Sequence, residues 1–166
     1  MLYLLDANVL IDADRDYYPI PRVPEFWEWL VHKGTEGSVK VPRELYDGIK
    51  KGHDDLAKWA KDAQVDEALT LSEEPNSAVV TRVINDGYAP DLTEDELEIV
   101  DDDALLIAYA LSVPGERCVV TTEVPKPKRQ RANRHVPDVC KDLGVPVCNT
   151  FQFVRELDFR TGWKAR

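Results

Sequence analysis

Cysteine is scarce in this 166-residue chain, and long apolar runs are absent. The three cysteines, Cys118, Cys140 and Cys148, form an odd set without C-x-x-C spacing. This pattern argues against a disulfide scaffold and a zinc site, and it indicates reduced thiols. No stretch approaches the roughly 18 consecutive apolar residues that a membrane helix needs. The sequence also contains neither a Walker A loop nor a G-x-G-x-x-G motif, which argues against nucleotide-dependent chemistry.

The first residues lack the features of a targeting signal. Their apolar run, MLYLLDANVLI, has no basic flank and is interrupted by Asp6 and Asn8, so no secretory signal peptide is expected. Together with the reduced thiols, this predicts a cytoplasmic protein that has no membrane partner. Apolar residues make up 43% of the chain, which is enough to bury a core at this length and excludes a disordered protein. We therefore expect residues 1–166 to form a single domain.

Charge is distributed unevenly along the sequence. The net charge of −10 argues at first against a nucleic-acid partner. However, residues 1–123 carry 11 basic and 27 acidic side chains, whereas residues 124–166 carry 10 basic and 4 acidic ones. The basic residues that we consider as candidates for RNA binding are Lys126, Lys128, Arg129, Arg131 and Arg134. The alternative is a chance cluster of charges in a solvated loop.

Segments with strand-like and helix-like spacing alternate along the chain. The predicted strands are short apolar runs at 2–5, 39–41, 118–122 and 145–148. Helices are predicted at 43–51, 54–63, 76–87, 137–143 and 151–157. Gly34 is expected to end a helix that carries Phe26, and Thr93 with Glu96 has the pattern of a capping box. This alternation predicts an α/β domain with a parallel sheet between helices.

Three acidic residues lie where such a sheet binds ligands, just beyond the carboxyl ends of its strands. Asp6 follows the first strand, Glu123 follows the strand CVVTT, and Asp103 begins the apolar part of the helix that precedes that strand. Clustered carboxylates repel one another unless a cation compensates them, and Mg²⁺ or Mn²⁺ prefers such ligands. Such a metal activates water for attack on phosphorus. Taken singly, each acid also fits a plain structural role in a turn, a helix start or the surface.

Several motifs resemble those of the PIN-domain superfamily. LLDANVLI is similar to its opening strand, and DDDALLIAYAL followed by CVVTTE resembles its second half. YYPIPRVPEFWEWL, GHDDLAKWAK and HVPDVCKDLGVPVCN are similar to a PIN-like branch of prokaryotic proteins related to VapC-type toxin ribonucleases. The resemblance implies a three-layer α/β/α PIN-like fold with a central, mostly parallel sheet of four to five strands. It also implies Mg²⁺- or Mn²⁺-dependent cleavage of RNA, often by the toxin of a toxin–antitoxin pair.

The same resemblance assigns roles to individual residues. Asp6 matches the first acid of the family, Asp103 the third, and Glu123 the fourth, where aspartate is commoner. Thr121 matches the polar residue at the end of the strand, and Asn8 matches the asparagine after the first acid. The resemblance therefore implies that the three acids hold the metal, while Thr121 and Asn8 orient ligands and water.

The second acid of the family is missing. Its position, four residues before Gly52 in the helix after the second strand, is Gly48. Glu44 lies one turn earlier on the same face, about 6 Å along the helix, and Asp47 points about 100° away. Asp102 is a further alternative ligand, although the helical register favours its neighbour Asp103. The departure leaves two main hypotheses: a ribonuclease with one cation, or a catalytically degenerate PIN-fold module that binds RNA or a protein, or forms a homodimer. A third reading, a structure-specific DNA nuclease, shares the site and differs in its substrate.

Overall fold

The computed structural model describes residues 1–165, and a five-stranded parallel sheet lies at its centre. The strands are β1 Leu2–Leu5, β2 Val39–Pro42, β3 Thr70–Leu71, β4 Arg117–Val120 and β5 Val147–Cys148. They are ordered β3-β2-β1-β4-β5, and every neighbouring pair is parallel. The predicted α/β class and the parallel sheet of four to five strands are therefore confirmed.

Helices fill the connections between the strands, as parallel pairing requires. They are α1 Ala7–Asp12, α2 Pro24–Thr35, α3 Arg43–Lys50, α4 Asp55–Ala60, α5 Ala63–Leu69, α6 Ser77–Arg82, α7 Glu94–Leu111, α8 Val136–Leu143 and α9 Thr150–Glu156. Two of them continue into π-helical turns, α1 through Ala13–Tyr17 and α6 through Val83–Tyr88. Short 3₁₀ turns occur at Arg131–Asn133 and Trp163–Ala165. The architecture is consistent with three layers, α/β/α.

Local signals predicted most of these elements, and tertiary contacts explain the exceptions. The capping box of Thr93 and Glu96 is present at the start of α7. The helix predicted at 54–63 corresponds to α4 but ends earlier, at Ala60, and Asp62 caps a separate helix, α5, that was not predicted. Gly34 does not end α2, which continues to Thr35. A Cβ on Gly34 would lie 2.6 Å from the carbonyl oxygen of Ala68, so this glycine permits close packing of α5 instead.

The core is built on both faces of the sheet. Trp27 and Trp29 of α2 are buried and pack against Phe26 within the core. All three cysteines are buried and free. Within residues 1–165, no helix has both the length and the apolar character needed to cross a membrane.

Strand pairing determines which residues meet at the carboxyl edge of the sheet. Leu5 of β1 pairs with Val120 of β4, and the backbone N–H of Asp6 donates to the carbonyl of Val120 at 2.9 Å. The residues that follow the two strands, Asp6 and Thr121, are therefore neighbours. This junction is the centre of the candidate site.

Candidate active site

Asp6 is a buried carboxylate at the junction of β1 and α1. It is 5% exposed and caps α1, with Oδ1 accepting a hydrogen bond from the backbone N–H of Asn8 at 3.3 Å. Its other oxygen, Oδ2, accepts from the hydroxyl of Thr121 at 3.0 Å. Burial raises the pKa of Asp6 despite these two donors, and the carboxylates of Glu123 and Asp102 raise it further.

Thr121 connects Asp6 to Glu123. Its side chain is 1% exposed, and its hydroxyl donates to Asp6 while accepting from the backbone N–H of Glu123 at 3.2 Å. The carboxylate of Glu123 accepts in turn from the backbone N–H of Val136, the first residue of α8, at 2.7 Å. A continuous set of hydrogen bonds therefore fixes the first and fourth predicted acids relative to each other.

Asp103 completes the acidic cluster from α7. Burial is the main cause that raises the pKa of this half-buried carboxyl to about 7, and the charges of Asp6, Glu123 and Asp102 raise it as well. Asp102 is exposed, as the helical register predicts. The three acids predicted from the sequence thus lie within electrostatic reach of one another at the carboxyl edge of the sheet.

The donor set suits a hard divalent cation that keeps part of its water shell. Carboxylate and hydroxyl oxygens are the ligands that Mg²⁺ and Mn²⁺ prefer, and Mg²⁺ usually retains several waters. Within residues 1–165, no three His, Cys, Asp or Glu side chains are close enough to form a ready-made metal cage. Burial and neighbouring carboxylates raise the pKa values of Asp6 and Asp103, so a bound cation would favour the ionised form of both groups. These residues fit a cation bound partly through water rather than one enclosed by protein ligands.

The two proposed substitutes for the missing second acid lie outside this cluster. The hydroxyl of Tyr109 donates to both oxygens of Glu44, at 3.1 and 3.4 Å, and the charge of Glu44 acts on Asp102. Asp47 forms an ion pair with Lys50 at 3.2 Å. At Gly48, an added Cβ would have no neighbour within 4 Å. The position of the second acid is therefore open space, and each of the two substitutes has a partner of its own.

The structure divides the basic segment into two groups. Arg131 binds the carboxylate of Glu96 at 2.9 and 3.0 Å and that of Asp91 at 2.7 Å, so its guanidinium is already occupied. Arg134 donates to the carbonyl of Gly87 and forms an ion pair with Asp142 at 2.6 Å. Both arginines therefore attach the loop to the body of the protein. The exposed members of the segment are Lys126, Lys128 and Arg129.

Two further residues complete the description of the site. Asn8 is exposed on the first turn of α1 and contacts Asp6 through its backbone N–H. Tyr88 was not predicted from the sequence. Its hydroxyl is buried without a hydrogen-bond partner in the described part of the chain, and the charges that act on it include Asp103 and Glu123. A lone tyrosine at the end of a helical segment carries no signal that distinguishes it from a core residue.

Comparison with known proteins gives a family but no activity. Residues 3–161 match a family model described as a domain of unknown function (DUF4411). No curated protein matches the sequence. Because the family model covers nearly all of the sequence, the chain belongs to the DUF4411 family.

Proposed function

We propose that this protein is a metal-dependent ribonuclease of PIN type that hydrolyses RNA phosphodiesters with one Mg²⁺ or Mn²⁺ ion. The observation that carries the proposal is the convergence of Asp6, Asp103 and Glu123 at the carboxyl ends of β1 and β4. Parallel sheets bind ligands at this edge. The resemblance of the flanking motifs to PIN domains supplies the reaction class, and the all-oxygen donor set supports it independently.

Each residue of the cluster has a distinct task in this proposal. Asp6, Asp103 and Glu123 hold the cation, and the hydroxyl of Thr121 fixes one oxygen of Asp6. The chemistry that the bound ion supplies is a water of lowered pKa and neutralisation of charge on the phosphate. Asn8, exposed beside Asp6, is available to orient a ligand or a water.

The exposed cations beyond Glu123 would bind the RNA backbone. Lys126, Lys128 and Arg129 follow the acidic cluster directly in sequence and lie at the surface. Neutralisation of phosphate charge supplies much of the affinity of proteins for nucleic acids. In a chain with a net charge of −10, such a local basic segment selects where RNA binds.

The test is a calorimetric titration with Mn²⁺ followed by an RNA cleavage assay. Asp6→Asn keeps the size of the side chain and removes its charge, so we expect loss of Mn²⁺ binding and of cleavage in a folded protein. Asp47→Asn is the matched control, since that carboxylate pairs with Lys50 outside the cluster. A folded Asp6→Asn protein that cleaves RNA at the wild-type rate would refute the proposal.

A second candidate function follows from the missing acid. With Gly48 in place of glutamate and Glu44 bonded to Tyr109, the site has one carboxylate fewer than the pattern of PIN domains. The alternative is a PIN-fold module that binds RNA or a protein without cleaving it. Mn²⁺ binding that depends on Asp6, without cleavage of a varied set of RNAs, would favour this alternative.

The biological setting is proposed from the resemblance. A cytoplasmic toxin, an antitoxin partner and a homodimer are the expectations that accompany PIN-type ribonucleases. Growth arrest on expression of the wild-type protein, and its absence with Asp6→Asn, would support a toxin role. The mass of the purified protein in solution tests the homodimer.

A further inference from the structure

Tyr88 presents a buried hydroxyl that has nothing to bind. The residue ends the π-helical turn Val83–Tyr88 and is 7% exposed. Within residues 1–165 its hydroxyl has no hydrogen-bond partner. Buried polar groups are nearly always hydrogen-bonded, and an unmatched one is destabilising, so this hydroxyl calls for a physical explanation.

The backbone around Tyr88 is held close to α8. A Cβ on Gly87 would lie 2.6 Å from Cγ1 of Val139, so the turn packs directly against that helix. Arg134 donates to the carbonyl of Gly87 and pairs with Asp142 of α8. The start of α8 also binds the carboxylate of Glu123. Tyr88 and Glu123 are therefore attached to the same helix.

Tyr88 belongs to the π-helical turn Val83–Tyr88, which packs against α7, the helix of Asp103, and against α8. Burial raises the pKa of its hydroxyl, the carboxylates of Asp103 and Glu123 raise it further, and Arg134 lowers it. The net effect raises its pKa above the ordinary value, so the hydroxyl keeps its proton and remains a hydrogen-bond donor. Asp103 of α7 is the complementary group, because its half-buried carboxylate receives no hydrogen bond within residues 1–165. A buried donor without an acceptor and a carboxylate without a donor thus lie on two elements that pack against each other.

We propose that Tyr88 is a positioning residue of the acidic cluster, whose hydroxyl donates a hydrogen bond to the carboxylate of Asp103 when a divalent cation is bound. The bond fixes the orientation in which Asp103 holds the ion. Carboxylates that bind metals are themselves usually hydrogen-bonded by outer residues, and loss of such a partner weakens binding. This inference rests on the metal site in the proposed function, but it concerns a residue outside the PIN motifs.

The test compares Tyr88→Phe with Tyr46→Phe. The hydroxyl of Tyr46 is also buried, but it donates to the carbonyl of Ala60 at 2.9 Å. Mn²⁺ affinity is measured by calorimetry without RNA, and the unfolding temperature is measured without metal. We expect Tyr88→Phe to weaken Mn²⁺ binding by roughly 10- to 100-fold, without lowering the metal-free unfolding temperature. Tyr46→Phe should do the reverse, lowering the unfolding temperature and leaving the affinity unchanged.

A second comparison tests whether Tyr88 acts through Asp103. In an Asp103→Asn background, where the ionised acceptor is absent, Tyr88→Phe should change the residual Mn²⁺ affinity by less than about twofold. An equal loss in both backgrounds would overturn action through Asp103. If Tyr88→Phe binds Mn²⁺ as tightly as the wild type, the inference is wrong while the metal site stands. If the wild type itself does not bind Mn²⁺, the metal site and the role of Tyr88 are both refuted.

Discussion

Replacing Asp103 with asparagine should stabilise the metal-free protein, and the gain should increase with pH. Burial and the charges of Asp6, Glu123 and Asp102 raise the pKa of Asp103 from 3.8 to about 7. An acid whose pKa is higher in the folded state binds its proton more tightly there, so folding is destabilised as the proton is lost. The destabilisation is small below pH 3.8, increases as pH rises, and is complete above pH 7.

The magnitude follows from the size of the pKa shift. At about 1.36 kcal/mol per pKa unit, the full destabilisation is about 4 kcal/mol, of which about 1.5 kcal/mol is already present near pH 5. Asparagine has no charge to lose. The difference in unfolding free energy between Asp103→Asn and the wild type should therefore increase by about 2 to 3 kcal/mol between about pH 5 and about pH 8.

Urea denaturation in the presence of EDTA at the two pH values measures this difference. Asp101→Asn is the matched control for loss of one carboxylate, because Asp101 is exposed on the same helix, and Asp103→Asn should show the larger increase with pH. Saturating Mn²⁺ should then stabilise the wild type more than Asp103→Asn, since ligand at 100 times its Kd contributes about 2.7 kcal/mol. A pH-independent difference for Asp103→Asn would refute the electrostatic reasoning.

Three further predictions concern the missing acid and the basic segment. Gly48→Glu should tighten Mn²⁺ binding and increase RNA cleavage, because position 48 has open space for a carboxylate. Gly48→Gln is the control, since both variants gain the helix stabilisation of about 1 kcal/mol that replacing glycine gives. Equal Mn²⁺ affinities of the two variants would show that position 48 does not face the ion. Lys128→Ala should weaken RNA binding and lower its salt dependence by roughly one ion, as measured by fluorescence anisotropy. Arg131→Ala should instead lower the unfolding temperature, because it removes the ion pairs with Glu96 and Asp91, and a lower salt dependence for this variant would contradict that structural role.

The sequence predicted the parts of the fold that depend on local patterns. Strands β1 and β2 were located within one residue, because short apolar runs next to polar turns or proline favour buried strands. Strand β3 was missed, since its two residues are extended only through pairing of Val41 with Thr70. The end of α2 was predicted at Gly34, but the helix continues to Thr35. Here too a tertiary contact decides, because Gly34 lies where α5 approaches closely at Ala68, and not where a helix end requires glycine.

The same distinction between local patterns and tertiary contacts applies to the candidate site. The proximity of Asp6 and Glu123 was predictable because residues that follow parallel strands meet at one edge of the sheet, whereas Thr121 was indicated only by the resemblance to PIN domains. The bonds of Arg131 to Glu96 and of Arg134 to the carbonyl of Gly87 were not predictable, since these partners are distant in sequence. Their positive charge gave the same sequence signal as that of the exposed lysines, although these arginines serve the structure of the loop.

The division of the basic segment supports the proposed binding of RNA beside a cluster of carboxylates in an acidic protein. Arg131 and Arg134 attach the loop to α7 and α8, and α8 also holds Glu123 through its first backbone N–H. The exposed Lys126, Lys128 and Arg129 lie on the segment between Glu123 and Arg131, and both of these residues are held by the attachments described above. Cations on an anchored loop lose less conformational freedom on binding than cations on a free one, so more of the phosphate attraction becomes affinity. The same anchoring keeps the cations near Glu123, where a phosphate next to the metal would lie.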